Sequence, residues 1–238
     1  MGRGAMVLVF PLALALAGCS QLPGAAAAAG TAPRPDQLMN FKVLYATNCQ
    51  GCHGANGHGG AAMELGNPEY QALVDDATLR KVVSEGMPGT EMPAFAQSAG
   101  GMLTDAQIGA IVAGMRKEWT RPHAFGGATP PPYQQPARGD AKRGEQAYQA
   151  RCASCHQKPE RQQVASPVYL SLVSDQALRT VIIAGRTDIG QPDWRMQGVK
   201  GSTGPLSGQD VTDVVTYLGS LRNPVAVSAA PAPVPAGR

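Results

Sequence analysis

The chain has 238 residues, which suits one or two domains, with 43% hydrophobic residues but only 5% aromatics. Ala inflates that share, and the many Gly and Pro residues add no large side chains, so side chains alone leave each core thin and in need of something else to pack around. A formal net charge of +3, with no clustered Lys/Arg stripe, gives no footing for nucleic acid as a partner.

The first elements in chain order concern export. Arg3 supplies a short positive start, and Met6 to Ala17 is an apolar run too short to cross a membrane comfortably. This is the layout of a secretory signal over residues 1–18. It closes on Leu16-Ala17-Gly18-Cys19, which resembles the bacterial lipoprotein lipobox. That resemblance implies cleavage before Cys19, a diacylglycerol on its thiol and a periplasmic protein held at the membrane by lipid. Residues 19–36, rich in Ala, Gly and Pro, cannot bury enough apolar surface to order themselves and read as a tether.

Two segments, 37–120 and 140–222, then repeat each other. Each opens on a helix with a tyrosine, Tyr45 or Tyr148, four residues before a Cys-x-x-Cys-His motif. A middle helix follows, capped near Asp75 and stopped by Gly86 in the first copy, capped near Ser174 and stopped by Gly185 in the second. The last helix begins at Thr104-x-x-Gln107, a capping-box pattern, with Ile108, Ile111, Val112 and Met115 on one face. Its twin begins at Ser207 and carries Val211, Val214, Val215 and Leu218 at the same spacing. No segment alternates as a strand does, so the fold is all-α. The two bodies are joined by residues 121–139, where Pro130-Pro131-Pro132 and Pro136 predict an extended spacer. Residues 223–238, again Pro/Ala-rich, read as a disordered tail.

The chemistry sits in Cys49-Gln50-Gly51-Cys52-His53 and Cys152-Ala153-Ser154-Cys155-His156, the attachment pattern for c-type haem. Two thiols three residues apart reach the two vinyl groups of one porphyrin, and the following histidine lies under the iron. Cys19 accounts for the odd one of five cysteines. A zinc ribbon has no need of a histidine after each pair, and a redox disulfide belongs in a βαβ setting that is absent.

On these motifs each repeat resembles a class I cytochrome c domain. The resemblance implies two covalently bound haem c groups, attached through Cys49, Cys52, Cys152 and Cys155, with His53 and His156 as the first axial ligands. It also implies a methionine as the sixth ligand, between the last two helices. In the first repeat that is Met92, in Met92-Pro93-Ala94-Phe95, 39 residues after His53. Met87 is also followed by proline but lies directly after the helix-ending Gly86, which makes it the weaker alternative; Met63 and Met102 read as loop or packing residues.

The second repeat departs from the pattern. Counting from the helix-ending glycine, its ligand position holds Gln191; counting back from Ser207 or forward from His156, it is Met196. Met196 is preferred as the only methionine of that repeat; Gln191 through its amide oxygen, or an open or water-bound iron, are the alternatives. His58 and His123 read as surface and linker residues, and Trp194 as packing beside the second haem. The expected activity is electron transfer without catalysis. The implied partners are a quinol-oxidising complex, a terminal oxidase, a photosynthetic reaction centre or a periplasmic dehydrogenase. The rival is a peroxidase-like or gas-binding haem protein with an open second iron.

Overall fold

Asn40, Asp75, Thr104, Asp140, Ser174 and Ser207 each place a side-chain oxygen on a backbone N–H of the turn that follows. Each such cap satisfies a donor the helix cannot pair itself and contributes about 1 kcal/mol. The computed structural model describes residues 33–135, 137–159 and 163–222. Cys19, the expected signal, most of the expected tether and the expected tail lie outside the described residues. The first half comprises α1 (Phe41–Asn48), α2 (Gln50–His53), α3 (Pro68–Leu73), α4 (Asp76–Glu85) and α5 (Asp105–Trp119). The second comprises α6 (Ala141–Arg151), α7 (Ala153–His156), α8 (Pro167–Leu172), α9 (Asp175–Ala184) and α10 (Gly208–Ser220). Among the described residues there is no strand, only the isolated bridges Ala96–Leu103 and Arg186–Gln191. The all-α reading holds.

The expected caps are in place. Gly86 and Gly185 end α4 and α9 at φ of +70° and +77°, a conformation that costs a glycine little. Thr104 and Gln107 form the expected capping box, and Ser207 forms another with Asp210, which the sequence reading did not foresee. Also unforeseen are α3 and α8, single helical stretches that begin on proline after Asn67 and Ser166. The signal was present, since proline suits the first turn of a helix, but each run is too short to show a periodicity.

In the first half α1 crosses α5, and in the second α6 crosses α10. Ile108, Ile111, Val112 and Met115 are all at most 3% exposed, as are Val211, Val214, Val215 and Leu218, so the two predicted stripes are the buried faces. Tyr45 and Trp119 meet edge to face at 5.1 Å with Phe41 beside them, and each such aromatic pair adds about 1 kcal/mol to burial alone. Each crossing uses a glycine, but on opposite helices: Gly114 of α5 lies under the Phe41 ring, and Gly144 of α6 lies against the Asp213 backbone of α10. A Cβ at Gly144 would stand 2.0 Å from the Asp213 carbonyl oxygen, and backbone cannot rotate aside. Gly144→Ala is therefore expected to destabilise the second half by about 1–3 kcal/mol, despite alanine's better helix propensity. A lower urea midpoint with an unchanged slope would show it.

The Pro-rich segment 121–139, expected to be an extended spacer, also packs against both halves. Phe125 is buried with Ile183, Trp194, Met196 and Leu206, and Tyr133 packs against the core of the first half. Arg179, 1% exposed, donates from Nε and Nη2 to the Pro132 carbonyl at 2.9 and 2.8 Å and from Nη1 to Thr212 at 3.2 Å. Carbonyls in a proline run have no N–H nearby to pair with, and a buried guanidinium supplies the missing donors. Residues 38–222 accordingly belong to one compact unit.

Candidate functional site

The N–H of Cys49 bonds the Tyr45 carbonyl at 2.8 Å and the N–H of His53 bonds the Cys49 carbonyl at 3.0 Å. The chain therefore runs from α1 into α2 with hardly a break, and Cys49, Cys52 and His53 share one turn. Cys49 and His53 are buried while Cys52 is exposed. The Tyr45 hydroxyl donates to the Gly54 carbonyl at 2.9 Å and locks the turn from below. Tyr45 thus both packs in the core and makes a hydrogen bond that holds the motif. The second half repeats the arrangement, with Cys152 N–H on the Tyr148 carbonyl at 2.8 Å and His156 N–H on the Cys152 carbonyl at 3.0 Å.

His53 Nδ1 lies 2.8 Å from the Met63 carbonyl oxygen. A carbonyl only accepts, so Nδ1 carries the proton and Nε2 keeps its lone pair, the tautomer an axial ligand needs. Burial pushes the imidazole below its ordinary value, with the nearby Arg186 acting in the same direction against the Met63 bond, so His53 is neutral at pH 7. Burial also pushes the Cys49 and Cys152 thiols up to about 11. A reactive dithiol needs the opposite shift. Among the described residues no three His, Cys, Asp or Glu side chains come together as a metal-holding group. The two cysteine pairs therefore do not converge on one tetrahedral site.

The loop after α4 has the same backbone plan in both halves. Met87 N–H bonds the Met92 carbonyl at 3.0 Å, and Arg186 N–H bonds the Gln191 carbonyl at 3.0 Å. Phe95 N–H reaches back to Val83 as Trp194 N–H reaches back to Ile183, and Leu103 N–H meets Phe95 as Leu206 N–H meets Trp194. Gln191 thus stands in the backbone place of Met92, as the count from the glycine has it. Its side chain, however, donates from Nε2 to the Val181 carbonyl at 3.2 Å. The four additional residues of the second loop fall after Trp194, and Met196 lies among them. Met196 is 9% exposed, adopts a left-handed φ of 55° and lines a cavity of about 440 Å³ with Trp194, Val199 and Pro205. Met92 is half-buried in its own loop.

Both halves suit a porphyrin, and the second offers donors to its acidic groups. Trp194 Nε1 and Arg151 Nε are buried donors without a hydrogen-bond partner among the described residues, and leaving such donors unpaired costs about 1–3 kcal/mol each. In the first half the fit rests on the donor set: two thiols, and a buried imidazole with its second nitrogen unprotonated. His58 stays off this site, half-exposed with Nδ1 2.8 Å from the buried carboxylate of Glu64. His123 sits in the linker at φ 55°. What sequence reasoning missed is the Met63 carbonyl, which acts through backbone and leaves no side-chain signal, and the polar residues around Glu64 and Arg186.

Residues 36–113 match the family model for cytochrome c oxidase, cbb3-type, subunit III, and residues 141–222 match that for cytochrome c. A dihydro-heme d1 dehydrogenase of Pseudomonas aeruginosa is 40% identical over 92 residues, 39% of this chain and 16% of that protein. The chain thus spans about a sixth of the length of that curated relative. A solved structure of dihydro-heme d1 dehydrogenase NirN in complex with DHE is 35% identical, over 35% of this chain and 16% of that one, with a TM-score of 0.29. The reducing HAO-like protein complex of Kuenenia stuttgartiensis is 17% identical over 77% of this chain and 96% of that one, with a TM-score of 0.45.

Two helical repeats, each with an attachment motif and each matched by a cytochrome c-type model, define an electron-transfer haem protein of the c type. The chain is a di-haem c-type cytochrome made of two tandem cytochrome c domains, with haem c bound covalently in both.

Proposed function

We propose that the chain is an electron carrier held at the periplasmic face of a membrane through lipidated Cys19, relaying electrons between membrane redox complexes. Cys49 and Cys52 attach one haem, and Cys152 and Cys155 the other. His53 and Met92 ligate the first iron; His156 and Met196 ligate the second. Bound haem supplies a one-electron couple, and a His/Met pair raises its potential. The residues of the chain orient the ligands and exclude water. The Met63 carbonyl sets the His53 tautomer, the aromatic group of Tyr45, Phe41 and Trp119 backs the attachment turn, and Trp194 and Arg151 offer donors to acidic groups of the second haem.

The observation that carries this reading is the His53–Met63 hydrogen bond, which prepares a neutral, oriented imidazole next to two thiols. Fitting partners are a quinol-oxidising complex, a terminal oxidase, a photosynthetic reaction centre or a periplasmic dehydrogenase. The description of the first family model, an oxidase subunit, favours a terminal oxidase. One observation favours a second reading, a gas-binding or peroxidase-like centre: Gln191 occupies the backbone place that holds Met92 in the first half.

Produced whole in a host that matures c-type haem, the chain is expected to carry the mass of two haems and to take up two electrons reversibly. It is expected to sediment with membranes, and Cys19→Ala to release it. A one-haem mass, or rapid carbon monoxide binding to the ferrous protein, would count against the carrier.

A further inference from the structure

Between the first attachment motif and α3 runs the loop that holds the Met63 carbonyl. It lies directly on the motif: a Cβ at Gly60 would stand 2.2 Å from the Cys52 carbonyl oxygen, and Ala62 N–H bonds that same oxygen at 3.0 Å. From its other side this loop is gripped by the second half. Arg186 donates from Nη1 to the Ala62 carbonyl and from Nη2 to the Gly60 carbonyl, both at 2.9 Å. The guanidinium is held by Asp188, Nε to Oδ1 and Nη2 to Oδ2, again at 2.9 Å. Asp188 in turn accepts from Gly59 N–H at 2.9 Å. Glu64, 1% exposed, accepts from Thr187 N–H at 2.8 Å and from the Thr187 hydroxyl at 3.0 Å.

These contacts surround Met63 on both sides in sequence. Arg186 itself is 8% exposed and belongs to the loop that leads to Gln191 and Met196. A fully paired buried ion pair is seldom needed for stability alone, since its desolvation cost offsets much of its attraction. Its geometry does something more specific, because two of the five guanidinium donors are spent on carbonyls flanking the acceptor of His53.

We propose that Arg186 is a positioning residue for the first haem: by holding the Gly60 and Ala62 carbonyls it keeps the Met63 carbonyl on His53, so that the second half sets the first haem's potential. This rests on His53 being an axial ligand. The physical link is the strength of the Nδ1–H···O=C bond. A well-held acceptor makes the imidazole more electron-donating and favours ferric iron; a loosened one favours ferrous iron.

Removing Arg186 alone would also change the local charge. The decisive variant is therefore Arg186→Met together with Asp188→Asn, which deletes one positive and one negative charge. In the full-length di-haem protein, the first haem's ferrous/ferric ratio at fixed ambient potential is expected to rise by about tenfold, about 59 mV for a one-electron couple. The hyperfine-shifted His53 ring N–H is expected to exchange faster with solvent. Should the double variant fail to mature, Thr187→Val, which removes a single hydroxyl, is expected to give a smaller shift in the same direction. An unchanged first-haem potential, or a shift confined to the second haem, overturns the proposal while leaving the ligand assignment intact. Absence of histidine coordination at the first iron in the unmutated protein overturns the ligand assignment and the proposal with it.

Discussion

Cys49→Ala with Cys52→Ala is expected to yield a mature chain lighter by one haem, with half the haem absorbance and a first half that unfolds at much lower denaturant. Cys49 is buried in the same cluster as Leu44, Tyr45, Leu79 and Ile108, so the attachment turn is part of the core rather than an appendage. Apolar surface that loses its partner forfeits about 25 cal/mol per Å². Each 100 Å² of side chain left facing water in place of porphyrin thus costs about 2.5 kcal/mol. That is a large fraction of the stability of a small domain. The second half keeps its own pair of thiols and is expected to retain its haem. Mass spectrometry and a haemochrome assay measure the outcome, and two haems on the double variant would refute the attachment.

The other large effect falls on the second iron. Met196→Ala is expected to abolish the weak ferric band that reports sulfur–iron bonding from the second haem, and to lower that haem's potential so that its ferrous/ferric ratio falls by roughly tenfold or more, about 59 mV per decade. Gln191→Ala is expected to leave both unchanged, because its amide is turned to the Val181 carbonyl. Met196 also packs with Phe125, Ile183, Trp194 and Leu206, so its truncation adds about 2–5 kcal/mol of cavity cost to the same half. The pairing with Gln191→Ala tests which of the two residues is the ligand, and the sulfur band reports ligation apart from packing. If Met92→Ala removes the entire sulfur band while Met196→Ala removes none of it, the second iron has no methionine and the open-site reading gains.

Much of this architecture was legible residue by residue. The stripe Ile108, Ile111, Val112 and Met115, and its twin on α10, are buried as their spacing requires, because helical periodicity is a local property. The caps at Asp75, Thr104, Ser174 and Ser207 and the stops at Gly86 and Gly185 are local as well, each settled within one turn of chain. The attachment motifs are equally local, since five consecutive residues carry the whole chemical requirement.

Where partners lie far apart along the chain, nothing in the text announced them. Met63 reads as an ordinary loop methionine, yet its backbone oxygen orients His53 ten residues away. Arg179 and Arg186 carry no pattern of their own in the sequence, yet both are buried and bonded to carbonyls 47 and about 125 residues away. The proline run reads only as an extended spacer because composition carries no record of which buried guanidinium will meet its carbonyls. The contest between Gln191 and Met196 is of the same kind. Counting along the chain gives two answers, and only the matched backbone hydrogen bonds of the two loops show that the additional residues enter after Trp194. Sequence alone therefore determined the first, middle and last helix of each repeat, the buried faces of the last ones and the haem attachment motifs, all set by interactions within a turn or two. Tertiary structure decided how the halves grip each other and what holds the first histidine, since those bonds join residues that only folding brings within 3 Å.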